Sequence, residues 1–231
     1  MAREFEIGFL PSLEAESSLN PPRAPGQRKF SVSVVEFFYD YGSPYSYIAN
    51  SQLPGLCQRT GCRIEYRPML LGGVFKATGN RSPAEEPVEA KRLYFGSETR
   101  RWVAHYGLAF RNNPHFPVNT LLLMRHAHAA VRCQVFERFH AAAFAGLWER
   151  EKDLSDPAVL AEELEAAGLD AGRLAEAAAD AEVKGALRET TEEAVERGVF
   201  GAPSFFVDGE LYFGNDRLDF VERALVGPGV G

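Results

Sequence analysis

The chain has 231 residues, of which 45% are hydrophobic, and a net charge of −7 at pH 7. This length and apolar content can form a substantial core, in one large domain or two small ones. The acidic charge argues against binding to nucleic acid, which would require a basic face. No stretch of the sequence approaches the roughly 20 apolar residues of a membrane span.

Cysteine usage and the N-terminal sequence both favour a cytoplasmic protein. The three cysteines, Cys57, Cys62 and Cys133, are odd in number and irregularly spaced. This favours buried free thiols in a reducing cytosol over a disulfide framework. Residues 1–31 lack the apolar segment and cleavage site of a signal peptide. Their Pro-Pro and Ala-Pro-Gly sequences predict a flexible N-terminal extension, although a mis-assigned start codon would produce the same pattern.

The first predicted unit after this extension is a β-α-β unit. The stretch FSVSVVEFFYDY is rich in valine and phenylalanine and predicts a central strand. A helix then begins with Ser43 as its N-cap and Pro44 at its first position, and Pro54 is expected to kink or interrupt it. The stretch CRIEYRPML predicts a second strand. A helix between two strands normally implies that the strands are parallel.

The middle of the chain is predicted to be helical, and its end returns to β structure. Alanine, leucine, glutamate and arginine dominate residues 84–197. SFFV-DG-ELYF predicts a hairpin with an Asp-Gly turn, and NDRLDFVERAL predicts a closing helix. We therefore predict an α/β fold with a thioredoxin-like core (β-α-β … β-β-α) formed by residues 32–83 and 198–231. Residues 84–197 would form an inserted all-helical domain.

Two positions in these elements could carry chemistry. Ser43 lies at the positive end of a helix dipole, where an anion such as a thiolate is stabilised. On spacing alone, an N-cap with no further role is the favoured interpretation, because Ser-Pro is common at a helix start. Ala202-Pro203 is a candidate cis peptide bond, although the local sequence alone favours an ordinary proline at the start of a strand.

The histidines do not follow a metal-binding pattern. His126 and His128 are two residues apart on a predicted helix and therefore point to different faces. Glu137 and His140 have the i, i+3 spacing of di-iron ligands, but a di-iron bundle needs that spacing twice. We therefore predict no metal site.

Five motifs occur along the chain in a recognisable order. They are VEFFYDYGSPYSYIA, RPMLLGGVFKATGN, KRLYF, HFPVNT and GVFGAPSFFVDGELYFGNDRLDFVE. Together they resemble the 2-hydroxychromene-2-carboxylate isomerases and the related kappa-class glutathione transferases, over residues 32–226. This resemblance implies a thioredoxin-like fold with an inserted helical domain.

The resemblance also implies that glutathione supplies the reacting sulfur. Related bacterial disulfide oxidoreductases carry Cys-x-x-Cys at this turn, whereas this chain has Ser43-Pro44-Tyr45-Ser46. Ser43 would then hydrogen-bond the sulfur of glutathione and favour its thiolate form. We favour this role over that of a nucleophile, because no histidine is evidently placed to activate the serine.

Matching motifs implies further contacts to glutathione. Asn80 matches an asparagine near the bound tripeptide and the substrate. Lys91 matches a lysine that can pair with the glycine carboxylate, and a solvated helix lysine is an equal alternative. Ala202, before Pro203, is expected to pair its backbone with the cysteinyl residue. Asn215 and Asp216 match the pair that holds the γ-glutamyl end.

The leading hypothesis is an isomerase of 2-hydroxychromene-2-carboxylate, or of a similar intermediate in aromatic-compound catabolism, with glutathione as cofactor. Thiolate addition, ring opening, rotation and elimination would regenerate the glutathione. One alternative is a kappa-like glutathione transferase or peroxidase that consumes glutathione, and another is a non-catalytic thioredoxin-fold binding or chaperone module. Family members are often dimers, so we expect a homodimer that binds glutathione and a small aromatic substrate.

Overall fold

A four-stranded mixed sheet forms the centre of the fold. The computed structural model describes residues 32–227, so the predicted extension over residues 1–31 lies outside the described residues. The strands are β1 (Val34–Tyr39), β2 (Arg63–Pro68), β3 (Ser204–Val207) and β4 (Glu210–Phe213). Their order in the sheet is β2-β1-β3-β4. β1 pairs in parallel with β2 and antiparallel with β3, and β3 pairs antiparallel with β4. This is the predicted thioredoxin-like arrangement.

Helices surround this sheet and fill the middle of the chain. α1 connects β1 to β2, α2 follows β2, and α9 ends the described chain. Between α2 and β3, the described residues form six α-helices, which confirms the helical insertion. The exact domain boundaries stay predictions. The helices are α1 (Pro44–Thr60), α2 (Leu71–Thr78), α3 (Glu89–Tyr106), α4 (Leu121–Arg132), α5 (Phe136–Trp148), α6 (Pro157–Ala166), α7 (Ala171–Ala179), α8 (Ala181–Glu196) and α9 (Leu218–Val226).

Helix α1 positions the candidate site, and its N-terminus has the capping residues that the sequence predicts. Ser43 is its N-cap, and Pro44 occupies the first position. Gly61 ends the helix in the left-handed conformation, with φ of 71°, which glycine adopts without steric penalty. The predicted interruption at Pro54 is wrong, because the helix continues through it. Pro54 is exposed, so water can bond the carbonyl that loses its helical partner there.

The side chains of β1 divide the core into two layers. Val35, Phe37 and Tyr39 are buried in one cluster with α1 and the inserted helices α4 and α5. Phe38 points to the opposite face and packs with Phe206 and with residues of α2 and α8. This alternation is the period of two that a strand imposes. The inserted helices therefore share the core of the sheet.

The turn between β3 and β4 has the backbone conformation that the sequence predicts. Asp208 and Gly209 both have positive φ, of 49° and 86°, as the predicted two-residue turn between β3 and β4 requires. Within residues 32–227, none of the helices combines the length and the apolar character needed to cross a bilayer.

Candidate active site at the start of the first helix

The Ser43 hydroxyl joins the first helix to the loop that precedes β3. Its Oγ accepts a hydrogen bond from the backbone N–H of Ser46, at 3.1 Å, as an N-cap does. The same hydroxyl donates its proton to the carbonyl oxygen of Ala202, at 3.0 Å. Ser43 is 4% exposed. The N-cap role is therefore present, and the hydroxyl also has a second partner from a distant part of the chain.

The loop before β3 contains the cis peptide bond considered from the sequence. The Ala202-Pro203 bond is cis. The Pro203 carbonyl accepts a hydrogen bond from Gly214 N, at 3.0 Å. Within the described residues, the Ala202 N–H has no hydrogen-bond partner. The loop thus binds the Ser43 hydroxyl on one side and the segment after β4 on the other.

Asn80 reaches the same loop from the end of α2. Its Nδ2 donates to the Phe200 carbonyl at 2.8 Å, and its Oδ1 accepts from the N–H of Arg81 at 2.9 Å. The Asn80 side chain is exposed despite these contacts. It therefore fixes the loop before Ala202 while remaining open to a ligand.

Asn215 and Asp216 form a short 3-10 helix, Asn215–Arg217, that packs against α1. Asn215 is 4% exposed, and its Nδ2 has no hydrogen-bond partner in the described part of the chain. An unpaired buried amide is unfavourable, so this atom would gain from an acceptor if the side chain turned towards one. Asp216 is exposed, and its carboxylate pairs with Arg217.

Lys91 lies on α3 and, among residues 32–227, forms no hydrogen bond with this loop. It lies exposed in the first turn of α3, and its ammonium takes part in no ion pair with residues 32–227. The helix is tied to α1 by the Tyr45 hydroxyl, which donates to Glu98 at 3.0 Å. Lys91 is seven residues from Glu98, or about 10 Å along the helix.

Asp40 is a component of the site that the sequence analysis missed. It is 1% exposed, and its carboxylate accepts three hydrogen bonds. Oδ1 accepts from Gly42 N at 2.9 Å, and Oδ2 accepts from Leu71 N at 2.8 Å and Thr120 Oγ1 at 2.9 Å. Burial raises the pKa of Asp40, and the three hydrogen bonds oppose that rise. Asp40 thus joins the turn before Ser43 to the starts of α2 and α4. An aspartate two residues before a turn glycine is the available signal.

Three of the five histidines form hydrogen bonds with residues other than Ser43. His140 is buried between the Tyr41 hydroxyl, 2.9 Å from Nδ1, and Asn50 Oδ1, 2.9 Å from Nε2. Burial lowers the pKa of His140 to about 3, so the ring is neutral. His126 and His128 each contact a backbone carbonyl. None of the hydrogen bonds of Ser43 to the described residues involves a histidine that could act as a base.

The fold and this site define a class: a thioredoxin-like protein with serine at the helix start where redox enzymes of this fold carry cysteine. Comparisons with known proteins agree. Residues 34–226 match the model of the DSBA-like thioredoxin domain. A 2-hydroxychromene-2-carboxylate isomerase from Sphingobium xenophagum is 36% identical, over 84% of this chain and 99% of its own length. Glutathione S-transferase kappa 1 from Homo sapiens is 30% identical, over 83% and 90%. A solved structure of 2-hydroxychromene-2-carboxylate isomerase has a TM-score of 0.70 at 27% identity, covering 84% of this chain and 94% of that one.

The chain therefore belongs to the DSBA-like thioredoxin-domain family, among the relatives of the 2-hydroxychromene-2-carboxylate isomerases and kappa-class glutathione transferases. Its relatives are named as isomerases and as glutathione transferases, so the chain belongs to a group of enzymes. Both the family resemblance and the fold class predicted from the sequence are confirmed.

Proposed function

We propose that this protein isomerises 2-hydroxychromene-2-carboxylate, or a similar intermediate of aromatic-compound catabolism, with glutathione as its cofactor. The observation that carries the proposal is the position of the Ser43 hydroxyl. It lies at the N-terminus of α1 and contacts the carbonyl of Ala202 beside a cis proline. A thiolate at this position would meet both a hydroxyl donor and the positive end of the helix.

Ser43 and Ala202 can exchange their mutual hydrogen bond for two bonds to glutathione. The Ala202 carbonyl would accept the N–H of the cysteinyl residue, and the unpaired Ala202 N–H would donate to its carbonyl, as in strand pairing. The Ser43 hydroxyl, which donates to the Ala202 carbonyl in the structure, would donate to the sulfur of glutathione instead. Since a free thiol has a pKa of about 8.5, this donor would shift glutathione towards the thiolate at neutral pH.

The residues after β4 fit the γ-glutamyl end of glutathione. Asp216 offers a carboxylate to the ammonium group, in exchange for its pairing with Arg217. The buried, unpaired Nδ2 of Asn215 offers a donor to the α-carboxylate. Asn80 holds the loop beside Ala202, and Lys91 would pair with the glycine carboxylate from α3. In this proposal glutathione contacts Ser43, Asn80, Lys91, Ala202, Pro203, Asn215 and Asp216.

The catalytic contribution of the chain is to hold and orient the sulfur. When bound, glutathione would supply a thiolate that adds reversibly to the substrate, so that a double bond becomes a single bond about which the substrate can rotate. Ser43 would stabilise negative charge on the sulfur before addition and after elimination. Asp40 would hold the turn that positions Ser43, through Gly42 N and Thr120.

A kappa-like transferase or peroxidase is the alternative, and the human kappa relative favours it. Such an enzyme would use the same glutathione thiolate but would consume one glutathione in each turnover. The two functions differ in whether glutathione is recovered. We expect a catalytic amount of glutathione to suffice for many turnovers, because the sulfur is released at the end of an isomerisation.

The direct test is an absorbance assay of 2-hydroxychromene-2-carboxylate turnover, with and without glutathione. We expect glutathione-dependent isomerisation in the wild-type protein and a loss of about 10²-fold in kcat/KM in Ser43→Ala, as for removal of one preorganised donor to a developing anion. Ser51→Ala is a matched control, since Ser51 is an exposed serine of α1 that bonds the carbonyl of Ile48. It should leave the rate unchanged.

The other results would redirect the proposal. Conjugation of an electrophile with one glutathione consumed per turnover, and no isomerisation, would support the transferase. Isomerisation that is independent of glutathione, or that survives in Ser43→Ala, would contradict the proposed role of the serine.

A further inference from the structure

Two of the three cysteines are in direct contact at the end of α1. Cys57 lies in the last turn of that helix, and Cys62 directly precedes β2. Their sulfur atoms are 3.1 Å apart. All three cysteines of the chain are free thiols in the structure. The sequence suggested no such pair, because the spacing of five residues matches no redox motif.

The turn between the two cysteines holds them in this contact. Gly61 adopts a left-handed conformation and donates its N–H to the Cys57 carbonyl, at 2.8 Å. The N–H of Cys62 donates to Thr60 Oγ1, at 3.3 Å. These bonds reverse the chain and return Cys62 to the last turn of the helix. The proximity of the two thiols is therefore built into the helix end.

We propose that Cys57 and Cys62 form an intramolecular disulfide by exchange with a small disulfide such as oxidised glutathione. The sulfur atoms need to approach by only about 1 Å to reach the disulfide bond length of about 2.05 Å. We expect rotation of the two side chains to supply this movement, with the backbone hydrogen bonds of Gly61 and Cys62 retained. The site is distinct from the proposed glutathione site, and it does not depend on the proposed function.

The exchange has two balanced steps. Cys57 is the more exposed thiol, whereas Cys62 is 8% exposed. The Cys57 thiolate attacks the small disulfide, forms a mixed disulfide and expels one small thiolate. The Cys62 thiolate then attacks the Cys57 sulfur and expels the second. Two protein thiols are oxidised to one disulfide, and the small disulfide is reduced to two thiols, which take up the two protons.

The surroundings of Cys57 make this exchange slow. Burial, together with the hydrogen bond to Cys62, raises the pKa of Cys57 to about 12, so little thiolate is present at neutral pH. Ser43 lies fourteen residues from Cys57, about 21 Å along α1. The link closes a short loop between α1 and β2. We expect the oxidised protein to melt on the order of 5 °C higher, with its enzymatic activity unchanged.

The test is exposure of the folded, full-length protein to oxidised glutathione, followed by acid quenching, denaturing alkylation and mass spectrometry. We expect a loss of two hydrogen atoms, one alkylated thiol at Cys133, and a cross-linked peptide joining Cys57 to Cys62. Cys133→Ser should form the same cross-link. Cys62→Ser should instead retain a glutathionyl group on Cys57, because the resolving thiol is missing.

Three results would overturn the proposal. The first is that all three thiols of the wild-type protein are still alkylated after an exposure to oxidised glutathione that is long enough to glutathionylate Cys62→Ser. The second is a stable glutathionyl group on Cys57 of the wild-type protein. The third is a cross-link through Cys133. The melting temperature provides an independent check, since it should rise in wild type and in Cys133→Ser but not in Cys57→Ser.

Discussion

At the scale of single residues, the site depends on a buried carboxylate as much as on the serine. Ser43 is recognisable from the sequence, because a serine before a proline at a helix start is a local signal. The function of Asp40 is not local. Its partners Leu71 and Thr120 lie 31 and 80 residues further along the chain, and no pattern in the sequence brings such positions together.

Replacing Asp40 with asparagine should loosen this junction. An amide has one oxygen acceptor, whereas the carboxylate accepts from three donors. In either orientation of the amide, one of the two N–H donors, that of Gly42 or that of Leu71, would face the NH₂ group and lose its acceptor. We expect Asp40→Asn to lower the free energy of unfolding by about 1–3 kcal/mol, and to lower kcat/KM even where the protein is fully folded. Urea unfolding and the isomerase assay measure the two effects.

The stability difference between wild type and Asp40→Asn should depend on pH with a definite sign. Burial raises the pKa of Asp40 in the folded protein above its ordinary value of 3.8. When the pKa of a carboxyl group is higher in the folded than in the unfolded state, the protein loses the stability contributed by that group as the pH rises from the unfolded pKa through the folded pKa. Asparagine has no such term. The stabilising advantage of aspartate should therefore be fully present below about pH 3.8 and should shrink as the pH rises towards and through the folded pKa. A growing advantage would show that the three hydrogen bonds outweigh burial.

At the scale of elements, the sequence predicts the strands and the hairpin well, and the helix boundaries less well. β1 and the Asp208-Gly209 turn follow from strand alternation and from backbone preferences, which are local. The break between α4 and α5 does not follow in this way. It occurs around Gln134, with φ of 59°, although glutamine is a good helix former. Tertiary packing of α4 and α5 against the sheet overrides the local preference.

The turn between β1 and α1 requires a glycine for a steric reason. A Cβ at Gly42 would lie 2.9 Å from Thr120 Cγ2 and 3.4 Å from Asp40 Oδ1. We expect Gly42→Ala to destabilise the protein by about 1–3 kcal/mol, because the start of α4 has to move. Thr120→Ser removes the obstructing methyl group and keeps the hydroxyl that bonds Asp40.

A double-mutant cycle of these two changes measures the contact. The combination of Gly42→Ala with Thr120→Ser should recover most of the stability lost by Gly42→Ala alone, and the isomerase activity with it. Additive losses in the cycle would mean that the alanine acts on the backbone of the turn and not on Thr120.

At the scale of the whole molecule, the first half of α3 is an exposed apolar surface that could bind another protein chain. Leu93 and Tyr94 are 64% and 55% exposed, and adjacent large apolar side chains on a surface are typical of an interaction site. The sequence predicts that α3 is helical. Only the packing shows that this half of it covers no core. We expect the protein to form a homodimer and α3 to form its interface.

Analytical ultracentrifugation should then give about twice the chain mass of 25.5 kDa for the wild-type protein. Leu93→Asp should shift it to the monomer, because the interface would have to bury a charge. Val131→Asp is the matched control, since Val131 is 54% exposed on α4, and it should stay dimeric.

A wild-type monomer would contradict the predicted dimer. A dimer that persists in Leu93→Asp would place the interface on a surface other than α3. Because Lys91 lies on the same helix, a monomeric variant with weaker glutathione binding would also link assembly to the proposed contact with the glycine carboxylate.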